Sequence, residues 1–356
     1  MTRRLFAVVV CLVVMGVLAG APHANAQYQM QVYGAWHCYS DACSWASVPN
    51  MTTFDTDNRW LIDRDMNGTY SPSVNVVVLS FVQPTKLMNL TNDSTTVNGI
   101  PIGMNTAVVN YFQSHGVRVM FSIGGASYRK DWDKALNSNP TQLGINAANA
   151  AKQFNVGMEI DYENSSTPNT AGLQKFVSAY RSVVAYDATG ANYAARLTID
   201  LGDGDTYLTK LASYAVANWL QTSAPVLDYA NAMVAGQKTG VSTLESGWQQ
   251  HVTGISGSVS PMAPAKLTGS LWLVGGQPNC DNFSNSDQNT AYSFVQDLAP
   301  AGAGTTTGML GYMFWAAGCQ GNGTGCTFPP NTCENGMGGA ATAFNIPIPM
   351  PALRQN

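Results

Sequence analysis

Acidic side chains recur at every second position of one short apolar stretch, residues 156–163. Glu159, Asp161 and Glu163 alternate there with apolar residues. If the stretch is a strand, whose side chains point alternately to opposite faces, it has one acidic face and one apolar face. Three crowded carboxylates cannot all stay ionised without repulsion, so the pKa of at least one should be raised. A carboxyl group that keeps its proton near neutral pH can act as a general acid, and Glu163 is our candidate.

The segments around this stretch alternate between strand-like and helix-like patterns. Apolar runs predict eight strands, at residues 31–36, 75–82, 117–123, 156–162, 195–201, 227–234, 270–275 and 308–315. Amphipathic runs between them predict helices at residues 104–114, 141–154, 170–186, 207–220, 244–252 and 288–298. Such alternation predicts one domain, a (β/α)8 TIM barrel. We expect loops without a clear helix in the first connection, 38–74, and a Gly-, Pro- and Cys-rich C-terminal segment, 316–356, wrapped around the outside.

A closed barrel gives the acidic face a definite direction. One side of each strand meets the helices and the other faces the barrel axis, and active sites lie at the carboxyl ends of the strands. Glu163 is therefore predicted at the mouth, with Asp161 one layer deeper and Glu159 deeper again. Trp315 ends the eighth strand, where its aromatic face is a natural platform for the apolar face of a sugar ring.

The charge composition bears on possible partners and metals. Only 11% of the 356 residues are charged and the net charge is −4, without a basic stripe, so nucleic acid is not an expected partner. Histidine and cysteine do not show zinc spacing, and we expect no metal and no cofactor. Asp200, Asp203 and Asp205 lack the calcium-loop pattern, so we expect them to line the cleft or to cap the next helix.

Residues 1–26 have the pattern of a secretory signal. Two arginines precede an apolar core at residues 6–20, which is short for a membrane span, and residues 24–26 form a small-residue cleavage site. We therefore predict a secreted, extracellular protein in which residues 27–356 form the barrel. No membrane association is expected, and the protein is expected to be a monomer.

The cysteines that follow the signal segment are even in number. Six remain of the seven in the chain, which in a secreted protein implies disulfides. Cys38 and Cys43 are the favoured local pair. Three pairings stay open for the others, which are Cys280, Cys319, Cys326 and Cys333.

Two motifs and a tryptophan carry a family resemblance. The sequence resembles the family 18 glycoside hydrolases, which include chitinases, endo-β-N-acetylglucosaminidases and chitin-binding lectins. The family's Ser-x-Gly-Gly motif on the third strand ends here with Gly124 and Gly125. The last two acids of its Asp-x-x-Asp-x-Asp-x-Glu motif match Asp161 and Glu163. Its tryptophan on the eighth strand matches Trp315.

The sequence departs from this pattern on the fourth and sixth strands. Glu159 stands where the motif has its second aspartate, and Val156 where it has the first. The sixth strand of the family usually ends in Met-x-Tyr-Asp, whose tyrosine contacts the acetamido group of the substrate. Met233 is present here but that tyrosine is missing, and we consider Tyr229 and Gln237 as substitutes.

The resemblance implies substrate-assisted catalysis with retention of configuration. Glu163 would protonate the glycosidic oxygen, and the 2-acetamido carbonyl of the substrate would attack the anomeric carbon to give an oxazolinium ion. Asp161 would orient the acetamido group, and Glu159 would take part in a proton relay. Substrate contacts are expected from Trp315, Tyr162, Gly124, Gly125, Met233, Tyr229 and Gln237.

Three classes of function are compatible with these residues: a hydrolase, a lectin, and an inhibitor or toxin. The first is a hydrolase that cleaves β-1,4 linkages beside N-acetylglucosamine in chitin, so its partner is a polysaccharide or oligosaccharide containing that sugar. Chitinases of the resembled family often carry an α+β insertion after the seventh strand, and the segment 275–287 is too short for it. The resemblance therefore implies a shallow groove, and an endo-acting enzyme or the glycan-core type rather than a processive exo-enzyme. The alternatives are an endo-β-N-acetylglucosaminidase acting on N-glycans, and a weakly active or inactive chitin-binding lectin. An inhibitor or toxin on the same scaffold is a third reading.

Overall fold

The structure is a computed structural model of the 356-residue chain. It describes residues 32–38, 43–63, 68–70, 72, 74–202, 204, 207–233, 241–272, 294 and 308–317. The predicted signal segment, the C-terminal segment beyond residue 317, Gln237, Asp203 and Asp205 lie outside these residues, as do Cys280, Cys319, Cys326 and Cys333.

Eight parallel strands close into a barrel, as the alternating pattern predicted. Each strand pairs with the next in the chain, and the eighth pairs with the first. In chain order the barrel strands β1 to β8 are Val32–His37, Val76–Val82, Arg118–Gly124, Gly157–Asp161, Leu197–Leu201, Ala230–Ala232, Leu267–Trp272 and Gly311–Ala317. The predicted fold class is confirmed.

Strand β7 begins three residues before the predicted strand at 270–275. The first half of this strand includes two small polar residues, Thr268 and Ser270. Both face the barrel axis and are fully buried. Gly269, between them, lies against the ring of Trp248, where a Cβ would come within 2.5 Å. The apolar run alone placed the strand too late, because the inner face of this strand is polar.

Eight helices lie among the described residues. Helices α1 to α8 are Met51–Ile62, Pro84–Met88, Thr106–Gln113, Arg129–Ser138, Pro140–Phe154, Thr170–Val183, Thr209–Asn218 and Val241–Thr253. Five of them correspond to predicted helices, while the one predicted at 288–298 lies outside the described residues apart from Phe294. A short two-stranded hairpin, Thr96–Val97 with Ile100–Pro101, follows α2.

The prediction of a first connection without a helix was wrong. Helix α1 occupies it, capped by Asn50, whose side chain accepts hydrogen bonds from the backbone N–H groups of Thr52 and Thr53. Its sequence is rich in Thr, Asp and Asn, which have low helix propensity and hide the pattern. Tertiary packing compensates, because Phe54 and Trp60 are buried against the barrel.

The barrel has two cores. A large apolar core fills the layer between the strands and the helices. A smaller one closes the lower part of the lumen and consists of Val32, Trp36, Val76, Val78, Met120, Tyr229, Leu310 and Met313. Polar side chains therefore enter the lumen above this plug, toward the carboxyl ends of the strands.

The predicted local disulfide is present between Cys38 and Cys43, just after strand β1. Cys43 of this disulfide also supports the mouth of the barrel, since its carbonyl accepts a hydrogen bond from the backbone N–H of Phe81 at 3.0 Å. Among the described residues, no helix is both long and apolar enough to span a bilayer.

Candidate active site

Strand β4 carries its acids on the inner face, as predicted. Glu159 pairs in register with Ser122 of β3 and Thr198 of β5, all of which are fully buried. Asp161 is 4% exposed, and Glu163, just beyond the strand, is half-buried. The row therefore runs from the inside of the lumen to its mouth.

Glu159 is held by donors from across the barrel. Trp36 Nε1 on β1 donates to its Oε1 at 2.9 Å, and Asn231 Nδ2 on β6 donates to its Oε2 at 2.7 Å. Burial raises the pKa of Glu159, and these hydrogen bonds oppose the rise because they stabilise the charged form. The side chain of Glu159, which is longer than that of the motif's aspartate, thus reaches both donors across the lumen.

Asp200 is a fourth acid in the lumen, and it belongs to the same network. Asn231 Nδ2 also donates to Asp200 Oδ1, at 3.0 Å, so one amide joins two carboxyl groups. Thr268 Oγ1 donates to Asn231 Oδ1 at 2.5 Å, which fixes the orientation of that amide. Burial, with Glu159 and Asp161 nearby, raises the pKa of Asp200 well above its ordinary value.

Asp161 has the least support of the buried acids. Its Oδ1 is buried and has no hydrogen-bond partner among the described residues. Burial first, and then the charges of Glu163 and Glu159, raise its pKa well above the ordinary value. Asp161 is therefore protonated more readily than a surface aspartate, and its Oδ1 lacks a hydrogen-bond donor among the described residues.

The backbone beside Asp161 is packed tightly against the end of strand β3. Trp132 Nε1, from helix α4, donates to the carbonyls of Ile123 and Asp161, each at 3.0 Å. The N–H of Gly125 donates to the same Asp161 carbonyl at 3.1 Å. A Cβ on Gly124 would lie 1.9 Å from that oxygen, so only glycine fits there. This pair of glycines positions the acid row by close backbone approach.

Glu163 lies at the mouth beside a phenol and a cation. Tyr207 Oη donates to its Oε2 at 2.8 Å. Burial raises the pKa of Glu163, whereas the Tyr207 hydrogen bond, the charge of Arg129 and the backbone N–H of Ala126 act in the opposite direction. The balance leaves the pKa above its ordinary value, which favours a carboxyl group able to give and take a proton.

Aromatic rings form one wall of the mouth. Trp315 is half-buried, and the ring of Phe81 stacks on it with centroids 5.7 Å apart and planes at 26°. Trp36 lies deeper, with its ring centroid 6.5 Å from that of Trp315. The peptide bond between Ser80 and Phe81 is cis. The stacked rings of Trp315 and Phe81 form a flat apolar surface at the same end of the lumen as Glu163.

Two tyrosines predicted to bind substrate do not face the mouth, and those predictions are corrected. Tyr162 points to the helical layer, where its ring packs on Trp132 and its hydroxyl donates to Asp133 Oδ1. Alternation along β4 requires this, because Tyr162 lies between two inward-facing acids. Tyr229 precedes β6 at the amino-terminal end of the barrel and belongs to the buried plug.

Two further residues predicted on the sixth strand have different outcomes. Met233 directly follows β6 and is half-buried, with its N–H bonded to the carbonyl of Leu201 at 2.8 Å. Its contact with sugar stays a prediction. Gln237 lies outside the described residues, so no position is assigned to it.

His37 is a buried histidine that serves the fold. It lies among the rings of Trp45, Phe54 and Phe112, and its Nε2 pairs with Asn58 Oδ1 at 2.5 Å. Burial lowers its pKa to about 4, so the ring is neutral at ordinary pH. Among the described residues, no group of three His, Cys, Asp or Glu side chains has the arrangement of a metal site.

Four site residues were not identified as such from the sequence: Trp36, Asn231, Tyr207 and Arg129. They lie on other strands or loops, and only closure of the barrel brings them to the acid row. Asp200 was expected to line the cleft, and it lies buried inside the lumen, where it shares the Asn231 amide with Glu159. A signal for it existed, because Thr198 and Asp200 repeat the polar alternation of β4 on the next strand.

Comparisons with known proteins agree with this architecture. No family model matches the chain, and no curated protein matches its sequence. A family 18 chitinase from Pseudoalteromonas aurantia is similar in structure, with 12% identity, a TM-score of 0.55, and coverage of 88% of this chain and 99% of that chain. A chitinase from Rhizomucor miehei matches with 14% identity, a TM-score of 0.50, and coverage of 86% and 99%. The chain has the fold of the family 18 glycoside hydrolases.

Proposed function

We propose that this protein is a glycoside hydrolase that cleaves β-1,4 linkages at N-acetylglucosamine by substrate-assisted retaining catalysis. One observation carries the proposal: Glu163 lies half-buried at the mouth of the lumen, bonded by Tyr207 and directly above the buried Asp161. A proton donor above a second carboxyl, beside an aromatic wall, is the arrangement that this reaction requires. Chitin and its oligosaccharides are the substrates we favour.

Glu163 is the proposed general acid and base. Tyr207 Oη donates to Oε2 of Glu163, and the backbone N–H of Ala126 also donates to this carboxyl group, which carries the transferable proton. In the first step this proton moves to the glycosidic oxygen as the C–O bond to the leaving sugar breaks. In the second step the resulting carboxylate takes a proton from the water that attacks the anomeric carbon.

Asp161 is proposed to hold the acetamido group of the substrate. Its buried Oδ1 has no protein partner among the described residues, and an acetamido N–H would supply one. When the carbonyl oxygen of that group attacks the anomeric carbon, positive charge develops on the oxazolinium ring. An ionised Asp161 stabilises this charge, and its own proton can pass to Glu159 just below.

The aromatic wall is proposed to bind the sugar. The exposed part of Trp315, backed by Phe81, offers a flat face to the C–H groups of a pyranose ring. Gly124 and Gly125 lie beside it and allow a ligand to approach the backbone, which is how we interpret their predicted role in binding. Met233 lies at the same end of the barrel and stays a candidate contact.

Secretion belongs to the same proposal. A disulfide between Cys38 and Cys43 favours an oxidising compartment, and a polymer such as chitin must be met outside the cell. We propose that residues 1–26 direct export and that residues 27–356 act as a monomeric barrel.

The test is a release assay with Glu163→Gln. The variant keeps the shape of the side chain but cannot transfer a proton, so we expect chitooligosaccharide hydrolysis to fall by about 10³-fold or more while sugar binding changes little. The matched control is Asp57→Asn on helix α1, which also converts an acid to an amide and should keep the parent rate. Hydrolysis by Glu163→Gln at the parent rate would overturn the assignment.

The same assay separates the alternatives. Release of product from a high-mannose glycoprotein but not from chitooligosaccharides would identify an endo-β-N-acetylglucosaminidase. Binding of chitooligosaccharide by the parent protein without product would identify a lectin, for which the replaced motif aspartate and the missing sixth-strand tyrosine are the supporting observations.

A further inference from the structure

Helix α4 directs one carboxyl group, that of Asp133, to the residues on both sides of Glu163. Tyr162 Oη donates to Asp133 Oδ1, and Asn164 Nδ2 lies 3.0 Å from Oδ1 and 3.2 Å from Oδ2 of the same side chain. Side chains alternate in direction along an extended chain, so residues 162 and 164 point away from the mouth while Glu163 points toward it. Asp133 therefore holds the chain from behind at the position of the proposed general acid.

Glu163 needs such support because it lies beyond the end of its strand. Strand β4 ends at Asp161, two residues earlier, so the ladder hydrogen bonds of the barrel do not extend to Glu163. Asn164 is 8% exposed and closes the turn that follows, since its Oδ1 accepts from the N–H of Ser166 at 3.2 Å and from that of Thr167 at 3.0 Å. The direction of Glu163 therefore depends on the side-chain hydrogen bonds of its neighbours.

Tyr162, which does not face the mouth, is the second member of this network. Its ring packs on Trp132, and its oxygen accepts from the N–H of Asn169 at 3.0 Å while its proton is donated to Asp133. Burial, and then the hydrogen bond to Asp133, raise the pKa of the phenol, so it stays a donor at ordinary pH. Connected hydrogen bonds of this kind strengthen one another and fix the side chains that make them.

The same face of helix α4 contacts the loop at three levels. Residues 129, 133 and 137 follow one another at intervals of four and therefore lie on one side of the helix. The guanidinium of Arg129 is close enough for its charge to act on Glu163, and Asn137 Oδ1 accepts from Asn169 Nδ2 at 2.8 Å. Asn169 is also the residue that caps helix α6. The loop that carries Glu163 is thus held along its length by α4, with Asp133 at the centre.

We propose that Asp133 is a positioning residue for Glu163, which it keeps within reach of Tyr207 and of the glycosidic oxygen by fixing the residues on either side. The inference rests on the function proposed above and adds to it a residue that touches no substrate. A misplacement of about 1 Å can cost roughly 10²-fold in rate, so a residue that acts through its neighbours can control the reaction. Asp133 takes no part in the proton transfer, because its carboxyl group lies behind the loop and bonds to Tyr162 and Asn164.

Steady-state kinetics of Asp133→Ala with chitooligosaccharides test this role. The variant removes the acceptor for both neighbours of Glu163, so we expect kcat to fall by roughly 10- to 100-fold while KM stays within about twofold of the parent value. Asp133→Asn keeps one acceptor oxygen and should recover part of the loss. Asp131→Ala is the matched control on the same helix and should keep the parent kcat, because Asp131 Oδ1 accepts instead from Gln83 Nε2 at 2.9 Å and from Thr85 Oγ1 at 2.6 Å.

A parent kcat in Asp133→Ala would overturn the inference. An equal fall in Asp131→Ala would also overturn it, because that result would show only a loosened helix. If Asp133→Ala does not fold, Tyr162→Phe takes its place, since the phenylalanine ring can keep the packing on Trp132 but cannot bond Asp133. Its kcat should fall by about threefold or more at an unchanged KM, and a parent kcat would overturn the inference.

A crystal structure of Asp133→Ala, or of Tyr162→Phe, separates this inference from the proposed function. We expect strand β4 to stay in place up to Asp161, and the Glu163 carboxyl group to be displaced and to lose its hydrogen bond from Tyr207. If the parent hydrolyses neither chitooligosaccharides nor a high-mannose glycoprotein, the proposed function fails, and the position of Glu163 in the crystal still decides the inference. A Glu163 that keeps its bond to Tyr207 in the variant would overturn it, whatever the parent hydrolyses.

Discussion

Glu159 and Asp161 are neighbouring acids with different surroundings. Glu159 receives N–H donors from Trp36 and Asn231, whereas Asp161 has a buried oxygen without any donor among the described residues. Hydrogen bonds to a carboxylate favour its charged form, and their absence favours the protonated form. We infer that Asp161 holds a proton until a ligand supplies the missing donor.

Tyr207→Phe tests how Glu163 is tuned. The phenol donates to Glu163 and so lowers its pKa against the effect of burial. Without that hydrogen bond the pKa should rise further, and the alkaline limb of kcat/KM should move to higher pH by about half to one pH unit. The measurement is a pH profile of chitooligosaccharide hydrolysis.

Tyr214→Phe is the matched control for this profile. Tyr214 lies on helix α7 and donates to Gln174 Oε1 at 3.3 Å, away from the acid row. The alkaline limb of the Tyr214→Phe profile should coincide with that of the parent. A limb that moves to lower pH in Tyr207→Phe would contradict the role given to the phenol.

At the scale of single residues, the sequence predicted which way the side chains point better than it predicted what they contact. Alternation along one strand was enough to place Glu159, Asp161 and Glu163 on a common face, because that geometry is local. The same rule predicts that Tyr162 faces the helices, and the prediction that it binds substrate ignored it. The prediction that Tyr229 binds substrate was wrong for another reason. The depth of Tyr229 in the lumen depends on where β6 begins in the closed barrel.

At the scale of elements, the junction of β3, β4 and α4 sets the position of the acid row. The indole of Trp132 bonds two carbonyls that end adjacent strands, and Gly124 lets those strands approach. Displacement of this junction would move Asp161 directly, since its own carbonyl is one of the two.

Gly124→Ala tests this junction. The residue has φ of +124°, and an added Cβ would lie 1.9 Å from the Asp161 carbonyl, so we expect a loss of at least about 3 kcal/mol in the free energy of unfolding together with loss of hydrolysis. Gly257→Ala is the control, with φ of +74° and open space around the Cβ. It should cost only about 1 kcal/mol and leave activity intact. Equal costs in urea unfolding would show that crowding at Gly124 does not matter.

The helices differ in how far the sequence revealed them. Helix α5 starts at Pro140 and has a regular apolar stripe, and it was predicted to within one residue. Helix α4 was not predicted, because only Trp132, Ala135 and Leu136 of its residues are buried and the rest is strongly polar. Helix α1 was missed for the related reason that its caps and tertiary contacts, rather than its propensities, stabilise it.

At the scale of the whole molecule, the lumen is divided into levels. Arginines and a small cavity lie at the amino-terminal end, an apolar plug lies above them, and the linked acids lie above the plug. The mouth carries Glu163 and the aromatic wall. The fold that carries this division is shared with a chitinase at 12% identity.

The buried acids make the stability of the whole fold depend on pH. Asp200 has a folded-state pKa raised well above its ordinary value, so the folded chain binds more protons than the unfolded chain between these two values. Its stabilising contribution is complete below the ordinary pKa, about 4, and is lost as pH rises through the folded pKa. Asp200→Asn cannot ionise, so the variant should gain stability relative to the parent as pH rises from about 4 to 8.

Urea unfolding across this pH range measures the effect. Asp187→Asn is the control, because hydrogen bonds from Thr189 and the backbone lower the pKa of Asp187, so its contribution to stability changes only below its ordinary pKa, about 4. Between about pH 4 and 8 the free energy of unfolding of that variant should differ from that of the parent by a nearly constant amount. A difference between Asp200→Asn and the parent that does not change with pH would contradict the buried, proton-holding state of Asp200.

The most direct test of the proposed reaction is a crystal structure of Glu163→Gln with an N-acetylglucosamine oligomer. We expect one acetamido nitrogen within hydrogen-bond distance of Asp161, the glycosidic oxygen beside residue 163, and a pyranose ring on Trp315. An oligomer bound elsewhere, or one in the lumen whose acetamido group does not reach Asp161, would contradict the proposed mechanism.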